Sequence, residues 1–501
     1  MIGQEDLKYW QARIEEQAKA YGLDFFETRF EVVDYRQLNE IAAYGGFPVR
    51  YAHWSHGMQF DQLNKGYQYG LQKIYEMVIN NDPCYAYLMK ENTMTDQKLV
   101  MCHVYGHCDF FKSNQWFSRT NRHMIDEIAN HASRIRRYAD LHGHDEVEGF
   151  LDVALSIDRL IDVHSQFVQR QHSTPSDRQD AVVEESPSFR FAAKPYMENF
   201  INPNGAIETQ RKRFEKARES VDRFPSRPER DVLLFLLQYA PLKGWQRDIL
   251  DVIRDEAYYF APQWQTKIMN EGWATYWHST LMTQKIMNDA EVIDFADHHS
   301  GTVGNSSSFN PYRIGLYLFR DIEDRWNRGA FGREYDECDD YNERRRWDKQ
   351  LGLGREKIFE VRKIYNDVTF IDTFLTDEFC QQHKLFVYQY DLDEEQFVIA
   401  SREFGKIKRQ LLNQLTNAGQ PIISVVDADF GNRGELCLEH TFEGVPLDLH
   451  FAEATLVNLQ KIWKKPVSIR SVYQSKQIML RHDGEQSTIE EIAESSSAAG
   501  D

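Results

Sequence analysis

TDQKLVMCHVYGHCDFF, residues 95–111, reads as a helix whose apolar stripe contains two histidines. At helical spacing Leu99, Val100, His103, Val104, His107, Phe110 and Phe111 share one side, and Asp96, Gln97 and Lys98 stand at the start, where polar residues are easily solvated. Both histidines therefore face inward. Side chains four apart on a helix are about 5–6 Å from one another, and an imidazole binds a metal at about 2.0–2.1 Å, so His103 and His107 are placed to converge on one divalent ion.

A catalytic ion of this kind has three protein ligands and an open position, so the pair needs a partner. IMNEGWATYWHSTLM, residues 268–282, is apolar almost all round, the mark of a buried helix, and it carries Glu271. A buried carboxylate is costly without a cation or several donors, which makes Glu271 the candidate third ligand. His278 lies seven residues further on, about 10 Å along the axis, too far to share an ion with Glu271. It fits an outer contact to a ligand or to substrate, with Thr275 between them on the same face. The alternative is a buried polar network of two histidines and a glutamate satisfied by protein groups, without metal. Cys108 and Asp109 point to other faces, where packing and solvation are their expected roles.

The 501 residues allow two or three domains with a sizeable core, and 42% hydrophobic and 13% aromatic content is ordinary for a globular chain. A net charge of -19 argues against nonspecific nucleic-acid binding, which depends on cation–phosphate attraction. The N-terminus MIGQEDLKYW has no apolar segment of signal-peptide length, and no apolar run approaches the ~20 residues of a membrane helix. Six scattered cysteines without a CxxC pair suit free thiols in a reducing cytoplasm.

Along the chain, residues 4–20 and about 61–79 read as helices, and residues 25–33 and 84–89 as strands. HSTPSDRQDAVVEESPS, residues 172–188, reads as an exposed loop. The expected fold class is α+β: a mainly α-helical N-terminal domain with a few short strands over 1–378, and a smaller α+β C-terminal domain over 380–484. In the latter a strand at 384–390, a helix at 397–415, two strands around Gly431 and Gly434, a helix at 450–463 and two final strands are expected. The acidic, Ser- and Ala-rich residues 485–501 are expected to be disordered.

Four blocks in order, GGFPVRYAHWSHGMQF, PCYAYLMKENTMTDQKLVMCHVYGHCDFFKSN, IMNEGWATYWHSTLM and NPYRIGLYLFRDIEDRW, resemble the SpoVR family, stage V sporulation protein R and its relatives. The resemblance runs from near residue 5 to about 482. It implies a cytoplasmic role in spore cortex formation, cell-envelope or stress physiology, with a serine protein kinase and a third operon protein as partners.

Asn270-Glu271-Gly272-Trp273-Ala274 also resembles the NEGxA helix of gluzincin metallopeptidases, whose glutamate is the third zinc ligand after an HExxH helix. That similarity implies zinc and a zincin-like setting. The sequence departs from it at Val104, which stands where the catalytic base belongs. Another carboxylate must then serve, from among Glu91, Glu76 and Glu256, with Glu91, on the loop before the His103 helix, preferred. Tyr105 or His278 is expected to stabilise a developing oxyanion.

Two functions follow. One is a zinc-dependent hydrolase acting on a cell-wall peptide or related amide, with His103, His107 and Glu271 on the metal. The other is a non-catalytic regulatory or scaffold protein holding a structural ion or none.

Overall fold

The computed structural model describes residues 3–68, 76–167, 223–304, 309–391 and 395–492. The chain forms two compact units, Met1–Glu148 with Tyr258–Gln420, and Gly149–Ala257 with Pro421–Asp501. Residues 380–420, expected in the C-terminal domain, belong to the first unit, where Phe379, Cys380, Ile407 and Leu411 join its core. Among the described residues no helix is long and apolar enough to cross a membrane.

The first unit is built on the helix Met94–Ser113, called here the histidine helix. Thr93 begins it with a reciprocal cap: its hydroxyl accepts from Asp96 N at 3.2 Å and the Asp96 carboxylate accepts from Thr93 N at 3.3 Å. The helix is buried on every side rather than along one stripe. Gln97 and Lys98, expected at a solvated start, are inside because each finds a partner. Gln97 donates to the Met89 carbonyl at 2.7 Å, and Lys98 pairs with Glu291 at 2.7 Å while lying 3.6 Å over the Trp10 ring. Asp109 is likewise buried, not solvated: it pairs with Arg362 and accepts from Trp273 Nε1 at 2.7 Å and Asp24 N at 2.8 Å.

Two further helices stack beside it. The glutamate helix, Lys267–Leu281, packs between the histidine helix and the tyrosine helix, Pro311–Arg328. Glycine sets both approaches. A Cβ on Gly106 would lie 2.7 Å from the Ala274 Cα, and one on Gly272 would lie 2.4 Å from the Gly315 backbone. The glutamate helix receives no cap from Thr266; the Asp367 carboxylate instead accepts from Ile268 N at 2.8 Å and Met269 N at 2.9 Å.

A three-stranded sheet lies against the histidine helix. Its strands are β1 (Thr28–Val33), β2 (Glu76–Ile79) and β3 (Cys84–Met89), in the order β1-β3-β2. β3 runs parallel to β1 and antiparallel to β2, with Glu76 opposite Leu88 and Ile79 opposite Tyr85. The helix expected over 61–79 is thus shorter, Trp54–Gln68, and its last residues are the edge strand β2. Pairing with β3, unreadable from local periodicity, decides this.

Nearer the end of this unit, β4 (Val387–Asp391) and β5 (Gln396–Ser401) form a hairpin, so the helix expected from 397 begins only at Phe404.

The second unit carries a five-stranded sheet of β6 (Ile423–Phe430), β7 (Glu435–His440), β8 (Val467–Tyr473), β9 (Lys476–His482) and β10 (Ser487–Glu491). The order is β10-β9-β8-β7-β6; β7 and β8 are parallel and connected through the helix Leu449–Trp463. Gly431 and Gly434, both at φ 65°, turn β6 into β7. β10 falls in the stretch expected to be disordered and pairs antiparallel with β9. The loop expected at 172–188 and the tail beyond 492 lie outside the described residues.

Candidate metal centre

His103 and His107 leave the histidine helix on the side facing the glutamate helix, and both are buried. Their Nδ1 atoms are engaged. His107 Nδ1 donates to Asn270 Oδ1 at 2.9 Å, a bond in one sense only, since a carboxamide oxygen accepts. His103 Nδ1 lies 2.8 Å from His278 Nδ1. Both Nε2 atoms are thereby turned toward a common space.

Two carboxylates enter that space. Glu271 Oε2 stands 3.6 Å from His103 Nε2 and 3.5 Å from His107 Nε2, and Glu76 Oε1 stands 3.1 and 3.8 Å from the same atoms. Glu76, His103 and His107 present ligand atoms within 4.8 Å of one another. Two ligand atoms on one tetrahedral ion at about 2.0–2.1 Å lie about 3.3–3.4 Å apart, close to these separations. His103 Nε2, Glu271 Oε2 and Glu76 Oε2 are sealed from solvent and make no hydrogen bond. Such orphaned atoms are costly, and a cation in the space between His103 Nε2 and Glu271 Oε2 satisfies those two. Imidazole nitrogen and carboxylate oxygen are donors suited to zinc and similar divalent ions, so the residues fit the group.

The charges are arranged to the same end. Burial pushes the Glu271 carboxyl up, but contact with His103 and the charges of His107 and Lys267 outweigh it and hold the group well below the usual carboxylate range. Lys267 Nζ reaches Glu271 Oε1 at 2.5 Å. Burial pushes His107 down, while Glu76, Glu271 and Asn270 overcome it and leave the imidazole above its ordinary 6.5. In Tyr312, in the first turn of the tyrosine helix, burial followed by the charges of Glu271 and Glu76 drives the phenol far up. Its ring stacks on His103 at 6.2 Å between centroids.

Of the residues singled out from sequence, His103, His107, Glu271 and His278 are brought together. His278 touches His103 through Nδ1 and, through Nε2, lies 3.1 Å from His299 Nδ1. Tyr105 is not at this site: its ring packs on Phe25 and Phe30, and its hydroxyl is 3.5 Å from Glu15 Oε2. Glu91 is exposed in the turn after β3, and no ion pair or hydrogen bond joins it to the histidines among the described residues. The carboxylate at the site is Glu76, one of the three considered, carried there by β2. Asn270, Tyr312 and His299 were not anticipated. Asn270 had a usable signal, its place beside Glu271 on an apolar helix.

Comparison with known proteins agrees with the four sequence blocks. Residues 2–420 match the family described as SpoVR like protein, and residues 421–474 match the SpoVR-like C-terminal domain. The junction coincides with the break between the two units at Gln420. Over 481 residues the chain is 29% identical to YcgB, an uncharacterized protein of Escherichia coli strain K12, across 91% of this chain and 90% of that one. No solved structure matches it.

Proposed function

The chain belongs to the SpoVR family, and from that premise we propose that its first unit is a zinc-dependent hydrolase acting on a cell-wall peptide or related amide in the cytoplasm. His103, His107 and Glu271 hold the metal, and Glu76 serves as the base absent at Val104. The observation that carries this reading is the convergence of His103 Nε2 and Glu271 Oε2, both buried without a hydrogen bond, with His107 Nε2 and Glu76 Oε1 in one space. A divalent ion there supplies Lewis acidity, polarising a carbonyl and lowering the pKa of water.

The side chains supply the rest. Asn270 orients His107, and Lys267 holds the second oxygen of the Glu271 carboxylate. Glu76, 3.1 Å from His103 Nε2, is within reach of a proton released in the same space. Tyr312, its phenol kept protonated, is the donor available to a developing oxyanion, in place of Tyr105. Among the described residues β2 is an edge strand of the sheet beside the site, a setting that favours an extended substrate and accords with the zincin-like similarity of the NEGWA stretch.

A second reading rests on one distance. If Glu76 binds the ion rather than a proton, four protein ligands close the site, as in structural zinc centres, and the protein is a regulatory scaffold working with a serine protein kinase.

The test is elemental analysis of protein purified without an affinity-metal step, comparing the parent with His103→Ala and Glu271→Gln. About one equivalent of zinc in the parent and a loss in both variants is expected. Less than about a tenth of an equivalent of any transition metal in the folded parent sinks the metal reading.

A further inference from the structure

Three imidazoles stand in line from the metal centre outward. His103 Nδ1 is 2.8 Å from His278 Nδ1, and His278 Nε2 is 3.1 Å from His299 Nδ1. His278 is fully enclosed, and His299, on the helix Val292–Val303, is half-buried. We infer that His278 and His299 are positioning residues for the metal centre, fixing His103 in the one tautomer that leaves its Nε2 lone pair free for a cation. The inference rests on the metal reading above and extends it to residues that touch no ligand.

Hydrogen-bond counting gives the direction of the chain. With its Nε2 lone pair on a cation, His103 carries its proton on Nδ1 and donates it to His278 Nδ1. His278 Nδ1 is then an acceptor, so its proton sits on Nε2 and is donated to His299 Nδ1. His299 is an acceptor there in turn, and its own proton is on Nε2, at the outer end of the line. The opposite sense would place a proton on His103 Nε2, aimed at Glu76 and Glu271, where a cation has to sit.

The two metal-facing histidines differ in how this is achieved. The partner of His107 is the Asn270 carboxamide oxygen, which accepts and cannot donate. The partner of His103 is another imidazole, which does either, so its sense is set together with that of the next ring, His299, whose Nδ1 accepts from His278 Nε2 when His278 Nδ1 accepts from His103. Phe295 stacks on the His299 ring at 5.5 Å with 13° between planes and limits its rotation.

The test uses the full chain labelled with 15N-histidine and loaded with zinc alone. Long-range 15N–1H correlations report each ring's tautomer. The expected result is Nδ1–H for His103 and Nε2–H for both His278 and His299; an Nδ1–H form at either of the last two overturns the inference. Zinc affinity by chelator competition gives a second readout. His278→Leu is expected to weaken binding about 10–100-fold, and His278→Gln, whose carbonyl accepts from His103 Nδ1, to recover most of it. Equal affinity of parent and His278→Leu overturns the inference. Zinc uptake with the wrong tautomers removes this inference and leaves the metal reading standing, whereas no uptake by the folded parent removes both.

Discussion

Glu76 Oε1 stands 3.1 Å from His103 Nε2, so a strand at the sheet edge and the central helix meet at the atom that a metal would bind. The two roles open to Glu76 separate in Glu76→Gln, which keeps the shape and removes the basic oxygen. For a base, zinc content stays near one equivalent while amine release from cell-wall peptides falls about 10²–10⁴-fold. For a ligand, zinc is lost as well. Elemental analysis beside an amine-release assay distinguishes them, and full activity in the variant removes Glu76 as base.

Zinc uptake is expected to release protons. In the metal-free chain Glu76 and Glu271 hold His107 above its ordinary 6.5 despite burial, and zinc requires the neutral ring. Glu271, held low, is already ionised and gives up none. Apparent affinity therefore rises with pH above 6.5 and levels off once His107 is neutral. For the stability of the metal-free chain the sign is the reverse. The raised His107 pKa contributes stability that is complete below 6.5 and is lost as pH rises through the folded value. Titration calorimetry in two buffers of different ionisation enthalpy checks the release; identical heats at pH 7 would count against it.

His103, His107, Glu271 and His278 were legible in the sequence because each sits at helical spacing within a long apolar pattern, and helix faces are local information. Glu76 was not, since EMVI continues the preceding helix pattern and becomes a strand only by pairing with β3. Tyr312 looks like any residue in the first turn of an amphipathic helix; its value lies in what the glutamate helix brings against it. Adjacent residues on a helix do not share a face, and His298 and His299 diverge. Yet each finds a partner, Asp96 at 2.9 Å for His298 and His278 for His299. The buried Asp109–Arg362 pair was missed for a similar reason: its partner lies on a distant segment.

Gly272 allows the glutamate helix to reach the tyrosine helix, and the alanine variant tests that contact. An added methyl would stand 2.4 Å from the Gly315 backbone, which has no flexible side chain to yield. Helix propensity favours alanine by about 1 kcal/mol, but forcing two backbones apart costs about 1–3 kcal/mol or more and should win. Gly272→Ala is expected to lower the melting temperature and, by displacing the neighbouring Glu271, zinc content too. Gly57→Ala is the control: it lies on the helix Trp54–Gln68 with nothing within 4 Å of the new methyl, so only the propensity gain remains. Thermal melts of both decide it; an unchanged Gly272→Ala would mean that the helices are not in close contact.

Asp367 couples the start of the glutamate helix to pH. It is buried and accepts from Ile268 N and Met269 N, interactions that favour the carboxylate. Burial exceeds them and raises the carboxyl from 3.8 to about 7. A carboxyl raised in the folded state contributes stability that is complete below its unfolded value near 3.8 and is lost as pH climbs through about 7. Asp367→Asn keeps one acceptor oxygen and carries no charge, so it lacks this dependence. The parent should lose on the order of 1 kcal/mol or more relative to the variant between pH 5 and pH 8. The variant's lost acceptor, by contrast, costs about the same at both pH values. Denaturant unfolding of parent and variant at the two pH values measures the difference of differences. Parallel curves would mean that Asp367 stays ionised throughout, its two backbone donors outweighing burial after all.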